Sequence, residues 1–228
     1  MLQPGVITVH HLNQSRSQRV LWLLEELELP YEVVKYERDP KTLLAPKSLE
    51  AIHPLGKSPV ITDGELTLAE SGAILEYLVE TYGQGRLAPA AGTPAHRDYR
   101  FFLHYAEGSL MPYLLLKLVC RRVETAPLPF FVKPIAKKIA GKVNGDFVDP
   151  NLRRHLAFLG AHLEKHTWFA GDELSAADIQ MIFAVEGAVA RAADLEPSPK
   201  LREFVKRCHA RPAFQRALEK GGPYEIVG

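Results

Sequence analysis

Cysteine is scarce in this chain: two in 228 residues, Cys120 and Cys208, far apart and in no C-x-x-C pair. That excludes a disulfide framework, a zinc ribbon and a dithiol redox motif, and no metal site is expected. Long apolar runs are missing as well. Stretches such as Val20 to Leu24 reach about five residues, far short of the roughly 20 that span a bilayer, so no transmembrane segment is expected. Nor does either sign of charge dominate, with 28 Lys plus Arg against 27 Asp plus Glu and a net of +1. A nucleic-acid binder needs a concentrated positive field, which this balance does not supply. The amino-terminal MLQPGVITVHH has no basic patch followed by an apolar core, so no signal peptide is expected and the location is read as cytoplasmic.

What is present is a globular composition, 46% hydrophobic and 24% charged, which sets aside disordered, collagen-like and coiled-coil readings. The length suits one large domain or two modest ones. Character changes near the middle. Val6 to His11 reads as a short β-branched strand, and Ser17 to Leu29 as a helix with Val20, Leu23, Leu24 and Leu27 at helical spacing, ended by Pro30. Tyr31 to Tyr36 reads as a second strand, Lys41 to Ile52 as a short helix, Val60 to Thr62 and Glu65 to Leu68 as strands about an Asp63-Gly64 turn, and Glu70 to Tyr82 as an amphipathic helix. The order is βαβαββα, and its strand–helix–strand start predicts a parallel pair joined by a right-handed crossover. Gln84 to Pro94 is rich in Gly, Pro and Ala and reads as a linker. All that follows reads as helical: Ala95 to Arg122, Phe130 to Asn144, Pro150 to His166, Ser175 to Ala193, Pro199 to His209 and Pro212 to Glu219.

Three segments of the first part carry chemistry. In the turn after the first strand, a serine run leads into a helix, where free amides and the positive helix end point outward. Ser15-x-x-Gln18 also fits a capping box, which would satisfy those amides internally. In His53-Pro-Leu-Gly-Lys57-Ser58-Pro59, a proline opens a strand, where it has no N–H for the ladder. A cis Ser58–Pro59 peptide would turn the preceding backbone groups outward to pair with an extended peptide; a trans proline on an edge strand is the alternative. In Glu70-Ser71-Gly72, an acid and a hydroxyl stand together at a helix start. Ser71 with the first amides suits a carboxylate and Glu70 an ammonium, the two ends of a zwitterion; the alternative is an ordinary cap and a favourable first-turn charge.

In this order the segments resemble the glutathione transferase family. SRSQRVLWLLEELELPYEVV is similar to its first helix and second strand, and HPLGKSPVITDGELTLAESGAILEYLVETY to its proline loop, hairpin and third helix. Ser175 and Asp178 of LSAADI resemble the two ends of its buried capping box, and YAEGSLMP with the serine after HHLNQ looks most like a serine-type subgroup found in bacteria and yeast.

The resemblance implies an α/β plus all-α protein: a thioredoxin-like, glutathione-binding domain over residues 1–84, a linker over 84–94, and an all-helical domain over 94–228. It implies a cis Pro59, a homodimer, and glutathione as co-substrate. Residue by residue, Ser15 matches the hydroxyl that donates to the glutathione sulfur, and Ser58, before Pro59, matches the residue whose backbone meets the cysteinyl unit. Glu70 and Ser71 match the γ-glutamyl holders, Lys57 lies toward the glycyl carboxylate, and Arg16 and His53 border the site. Ser17 is a rival hydroxyl, two residues on and about 200° round the helix, and Arg16 is a rival thiolate stabiliser. The second substrate would be a small hydrophobic electrophile or a hydroperoxide, held against Tyr105, Met111 and Leu114 of the helical part, with Tyr113 and Leu118 nearby and Glu107 toward the dimer interface. A non-catalytic binding or scaffold protein of the same fold is the competing reading.

Overall fold

The computed structural model describes residues 6–42 and 44–222. The outermost residues of the two expected domains, the first part of the amino-terminal stretch and Leu43 of the expected second helix lie outside the described residues.

Strand β1 (Ile7–Leu12) is the centre of the first half. Its β-branched Ile7, Thr8 and Val9 favour extended backbone, and it pairs on both edges. On one side lies β2 (Tyr31–Tyr36), parallel, with Ile7 opposite Tyr31; on the other lies β3 (Val60–Asp63), antiparallel, with Val9 opposite Ile61. The hairpin closes with β4 (Leu66–Ala69), giving the order β2-β1-β3-β4. The parallel pair is joined by α1 (Ser17–Leu27), and α3 (Ser71–Tyr82) follows the hairpin. The expected helix over Lys41 to Ile52 is reduced to α2 (Lys47–Glu50). Pro46 forces the residue before it out of the helical region, and the Asp39 carboxylate accepts from the amides of Lys41 and Thr42 at 3.0 and 2.7 Å, tying that stretch into a turn.

The second half is helical. Thr93 caps α4 (Pro94–Tyr105), accepting from His96 N at 3.2 Å. A π-helical turn (Ala106–Leu110) carries it into α5 (Met111–Thr125). After α6 (Lys133–Val143), a second π turn (Asn144–Val148) leads into α7 (Asp149–Leu163). Both widened turns come just before a proline, Pro112 and Pro150. A proline has no N–H for the carbonyl four residues back and its ring crowds that carbonyl, so the helix widens there instead of breaking. Helix α8 (Ala176–Arg191) runs through the core, started by the capping box of Ser175 and Asp178. The Asp178 carboxylate accepts from Ser175 N at 2.9 Å and Phe169 N at 2.7 Å; complete burial nonetheless pushes its pKa up to about 6. Helices α9 (Pro199–His209) and α10 (Pro212–Gly221) are the last elements among the described residues.

Ten of the eleven residues of α1 are buried, because the sheet covers one side and α8 and α10 the other. Trp22 meets Phe214 edge-on at 5.2 Å. Polar groups on such a helix need partners in place. Glu25 is met by Arg216 and Lys220, each at 2.7 Å, and Glu26 by Arg211 at 2.5 Å. The far end of α1 is thereby held by Arg211 and by α10.

Candidate functional site

The turn from β1 to α1 carries Ser15. The helix starts at Ser17 with Arg16 at its N-cap and no side-chain cap, so the Ser15–Gln18 capping box does not form. The Ser15 hydroxyl instead accepts from Ser17 N at 3.3 Å and lies 2.7 Å from Ser17 Oγ and 3.3 Å from Ser58 Oγ. Ser17 is fully buried behind it and 2.8 Å from Nδ1 of His11. The rival hydroxyl therefore supports Ser15 from inside.

Ser58 is pinned to β1: its hydroxyl donates to the His10 carbonyl at 2.9 Å and accepts from Leu12 N at 3.2 Å. The Ser58–Pro59 peptide that follows is cis. Beyond the hairpin, Glu70 sits at φ 73° between β4 and α3, a left-handed conformation that non-glycine residues adopt at a cost of about 1–3 kcal/mol and that concentrates at functional sites. It directs Glu70 and Ser71 to one opening.

That opening is a cavity of about 180 Å³ lined by Arg16, His53, Leu55, Lys57, Ser58, Pro59, Ala69, Glu70, Ser71 and Glu107. Seven of the eight residues expected to hold glutathione or lie beside it thus share one wall, and the eighth, Ser15, adjoins it through Ser58. Cations, anions and hydroxyls alternate around the rim, and the first amides of α3 add positive potential.

One residue behind the wall was not singled out from the sequence, and one lining residue was expected elsewhere. Arg19 is 2% exposed; its Nη2 donates to Ser71 Oγ at 2.8 Å and Glu107 Oε1 at 2.7 Å, and its Nη1 to the Gln180 carbonyl at 2.7 Å. The bond to Ser71 uses the oxygen and leaves that hydroxyl's proton for a ligand. Glu107, expected toward a dimer interface, stands in the cleft, where it also accepts from Arg16 Nε at 3.0 Å. Arg16 lies over the Phe183 ring at 5.1 Å and shares the Glu107 carboxylate with Arg19. The sequence signal was an arginine inside an otherwise apolar helix stripe, a position that calls for a buried partner.

The expected apolar wall needs correction. Tyr105 is 7% exposed and turned into the helical core, its hydroxyl 2.5 Å from His155 Nδ1 and its ring against Phe101, Phe102 and Phe158. Leu114 is fully buried and close to Gly187, and Met111 is buried too. Tyr113 lines a different cavity, of about 400 Å³, with Phe147 and His155. Tyr105 ends α4, ahead of the π turn, and is held in the core by His155 and its neighbouring rings. For Met111, Tyr113 and Leu114, the one extra residue before Met111 rotates each side chain relative to a regular helix, and what the turn itself presents to the cleft is Glu107.

Among the described residues no group of three or more His, Cys, Asp or Glu is placed to hold a metal ion, and no helix is long and apolar enough to cross a membrane.

Comparison with known proteins agrees with this fold. Residues 4–80 match the family model described as glutathione S-transferase, N-terminal domain, and 125–212 the one described as glutathione S-transferase, C-terminal domain. The chain is 32% identical over 215 residues to glutathione S-transferase 3 of Schizosaccharomyces pombe, covering 94% of this chain and 88% of that one. It is 31% identical over 223 residues to glutathione S-transferase 1 of Saccharomyces cerevisiae, covering 94% and 95%. Among solved structures, a glutathione S-transferase from Actinobacillus pleuropneumoniae superposes with a TM-score of 0.74 at 31% identity, covering 96% of this chain and 94% of that one.

Proposed function

The chain belongs to the glutathione S-transferase family, and from that premise we propose that it binds glutathione in the cavity between β1, the Ser58–Pro59 step and α3, with the sulfur against Ser15. The observation that carries this reading is the convergence of Arg16, His53, Lys57, Ser58, Pro59, Glu70 and Ser71 on one cavity. In this reading Glu70 accepts from the γ-glutamyl ammonium, and Ser71 with the α3 amides donates to its carboxylate. The Ser58 backbone pairs with the cysteinyl unit as a strand would, and Lys57 and His53 flank the glycyl carboxylate.

Ser15 then donates to the thiolate. A thiol with pKa near 8.5 is about 3% ionised at pH 7, and lowering it by about two units raises that roughly 25-fold. The less basic sulfur loses about 6–10-fold in nucleophilicity, so ionisation nets only about threefold. Holding thiolate and electrophile together must supply most of the acceleration. The electrophile is a small hydrophobic one, and a hydroperoxide oxygen is the second target, giving glutathione-dependent peroxidase activity. Residues 1–84 form the glutathione domain and 94–228 the helical domain, the protein acts as a cytoplasmic homodimer, and no metal takes part.

The test is Ser15→Ala with the ultraviolet thiolate band of bound glutathione followed against pH. The midpoint rises by about one to two units, the worth of one hydrogen bond to a charged group; an unchanged midpoint removes Ser15 from the role.

A further inference from the structure

Helix α6 meets the rest of the protein with very little of itself. It packs against α5, yet Ala140 is its one buried residue. Its large apolar side chains face outward: Ile135 and Ile139, with Phe130 and Phe131 on the turn before it, are 60–86% exposed. Ile135, Ile139 and Val143 follow at four-residue intervals and form one stripe. Helix α5 adds a second stripe at the same spacing, Leu115, Val119 and Val123, each at least 40% exposed. Nine of the sixteen exposed large hydrophobic residues among the described ones lie between 115 and 147, in this hairpin and the π turn after it. Single apolar side chains are ordinary on a surface, whereas a concentration of this kind marks a face that something covers.

The same segment carries charge of one sign. Residues 125–145 hold Lys133, Lys137, Lys138 and Lys142 and no acid, in a chain whose net charge is only +1. Lys142 pairs with Asp146 at 2.5 Å, and the other three have no ion-pair partner among the described residues. Lys138 and Lys142, three and seven residues after Ile135, border its stripe, so their stems can lie along it while the ammonium groups reach past it. These features choose among the possible covers. A second copy would seat the face on itself under two-fold symmetry, lysines against lysines. A protein partner's contact draws on Tyr, Trp and Arg and disfavours lysine, and residues 125–145 contain none of those three. A bilayer with anionic headgroups takes both parts at once, its phosphates meeting mobile lysines and its acyl boundary receiving phenylalanine and isoleucine.

We propose that α6 and the turn before it dock this protein on the surface of an anionic membrane. Phe130, Phe131, Ile135 and Ile139 enter the headgroup boundary, and the lysines meet the lipid phosphates. The contact is peripheral: with 11 residues α6 is about 16 Å long, and it lies in the interface instead of spanning it. The inference stands apart from the glutathione reading, since none of these residues lines that cavity.

The experiment is co-sedimentation of the full chain with vesicles of phosphatidylcholine, with and without phosphatidylserine. The protein binds the anionic vesicles at least about tenfold more tightly than the neutral ones, and high salt releases it. Lys137→Gln with Lys138→Gln weakens binding about 25-fold, roughly fivefold per lysine at the membrane surface. Lys41→Gln with Lys47→Gln, the same charge change on exposed lysines of the first half, leaves it within about twofold. Phe130→Ser with Phe131→Ser weakens it about tenfold, with the thermal midpoint unchanged because both rings already stand in solvent. The lysine pair stands alone should the phenylalanine pair fail to fold. Equal binding to both kinds of vesicle, binding to neither, or an equal loss from the Lys41 and Lys47 pair overturns the proposal. So does a phenylalanine pair that changes the oligomeric state in solution and leaves vesicle binding intact, which gives the face to a second copy.

Discussion

Arg19 and Ser71 stand 52 residues apart in the chain and 2.8 Å apart in space, the arginine Nη2 donating to the serine oxygen. The same nitrogen reaches Glu107 at 2.7 Å, so one buried cation ties α1, the start of α3 and the π turn of the helical half together. The wall of the cavity is built around that cation.

Replacing it takes one donor each from Ser71, Glu107 and the Gln180 carbonyl, while Glu107 keeps Arg16. Arg19→Met is expected to cost about 1.5–3 kcal/mol, the worth of a hydrogen bond to a charged group whose carboxylate stays partly solvated, read as a fall in the urea midpoint. Arg19→Lys recovers only part of this, since one ammonium cannot reproduce the two-nitrogen fork.

Glu70 is the expected partner of the ligand's ammonium. Glu70→Gln should weaken glutathione binding about 10- to 100-fold by calorimetry, the range for a lost charged hydrogen bond. A glutathione analogue without the γ-glutamyl amino group should bind the variant and the unaltered protein alike. Discrimination by the analogue would mean that Glu70 faces another part of the ligand.

Tyr105 tests the corrected apolar wall. Its hydroxyl meets His155 in the core and not the cleft, so Tyr105→Phe should leave kcat/KM toward a halogenated aromatic within about twofold. Stability should fall by about 1 kcal/mol, one net hydrogen bond. A large drop in kcat/KM without loss of stability would return Tyr105 to the site.

His11 gives a pH dependence with a defined sign. Its folded pKa, about 4, lies below the model-peptide value of 6.5. The neutral ring therefore contributes stability that is present above about 6.5 and lost as the pH falls through about 4. The full effect is about 3 kcal/mol. Burial lowers His10, His155 and His162 in the same direction. His11→Phe should flatten the fall in thermal midpoint between pH 6.5 and 4; an unchanged slope would place the acid sensitivity in the other three.

Much of the fold could be read along the chain because it rests on local causes. The βαβαββα order followed from strand and helix periods, the parallel β1–β2 pair from the strand–helix–strand start, and the start of α8 from the resemblance of Ser175 and Asp178, three residues apart, to the family's capping box. Local turn and helix-start chemistry drew attention to Ser15, Ser58, Pro59, Glu70 and Ser71, whereas grouping them in one site with Arg16, His53 and Lys57 came from the family resemblance. The shortened α2 was also local, and Pro46 with Asp39 could have announced it.

The sequence by itself determined which segments are strands and helices, and which turns carry a hydroxyl, an acid or a proline, because those properties depend on residues within one or two turns of each other. Only the tertiary structure decided that Arg19 and Glu107 form the wall behind Ser71, that Tyr105 belongs to the core, and that the end of α10 bears on His11. Those outcomes depend on contacts between segments far apart in the chain, and that of Glu107 depends further on the π turn that carries it into the cleft. A side chain's direction there is set by what the other half of the molecule packs against, which no local pattern encodes.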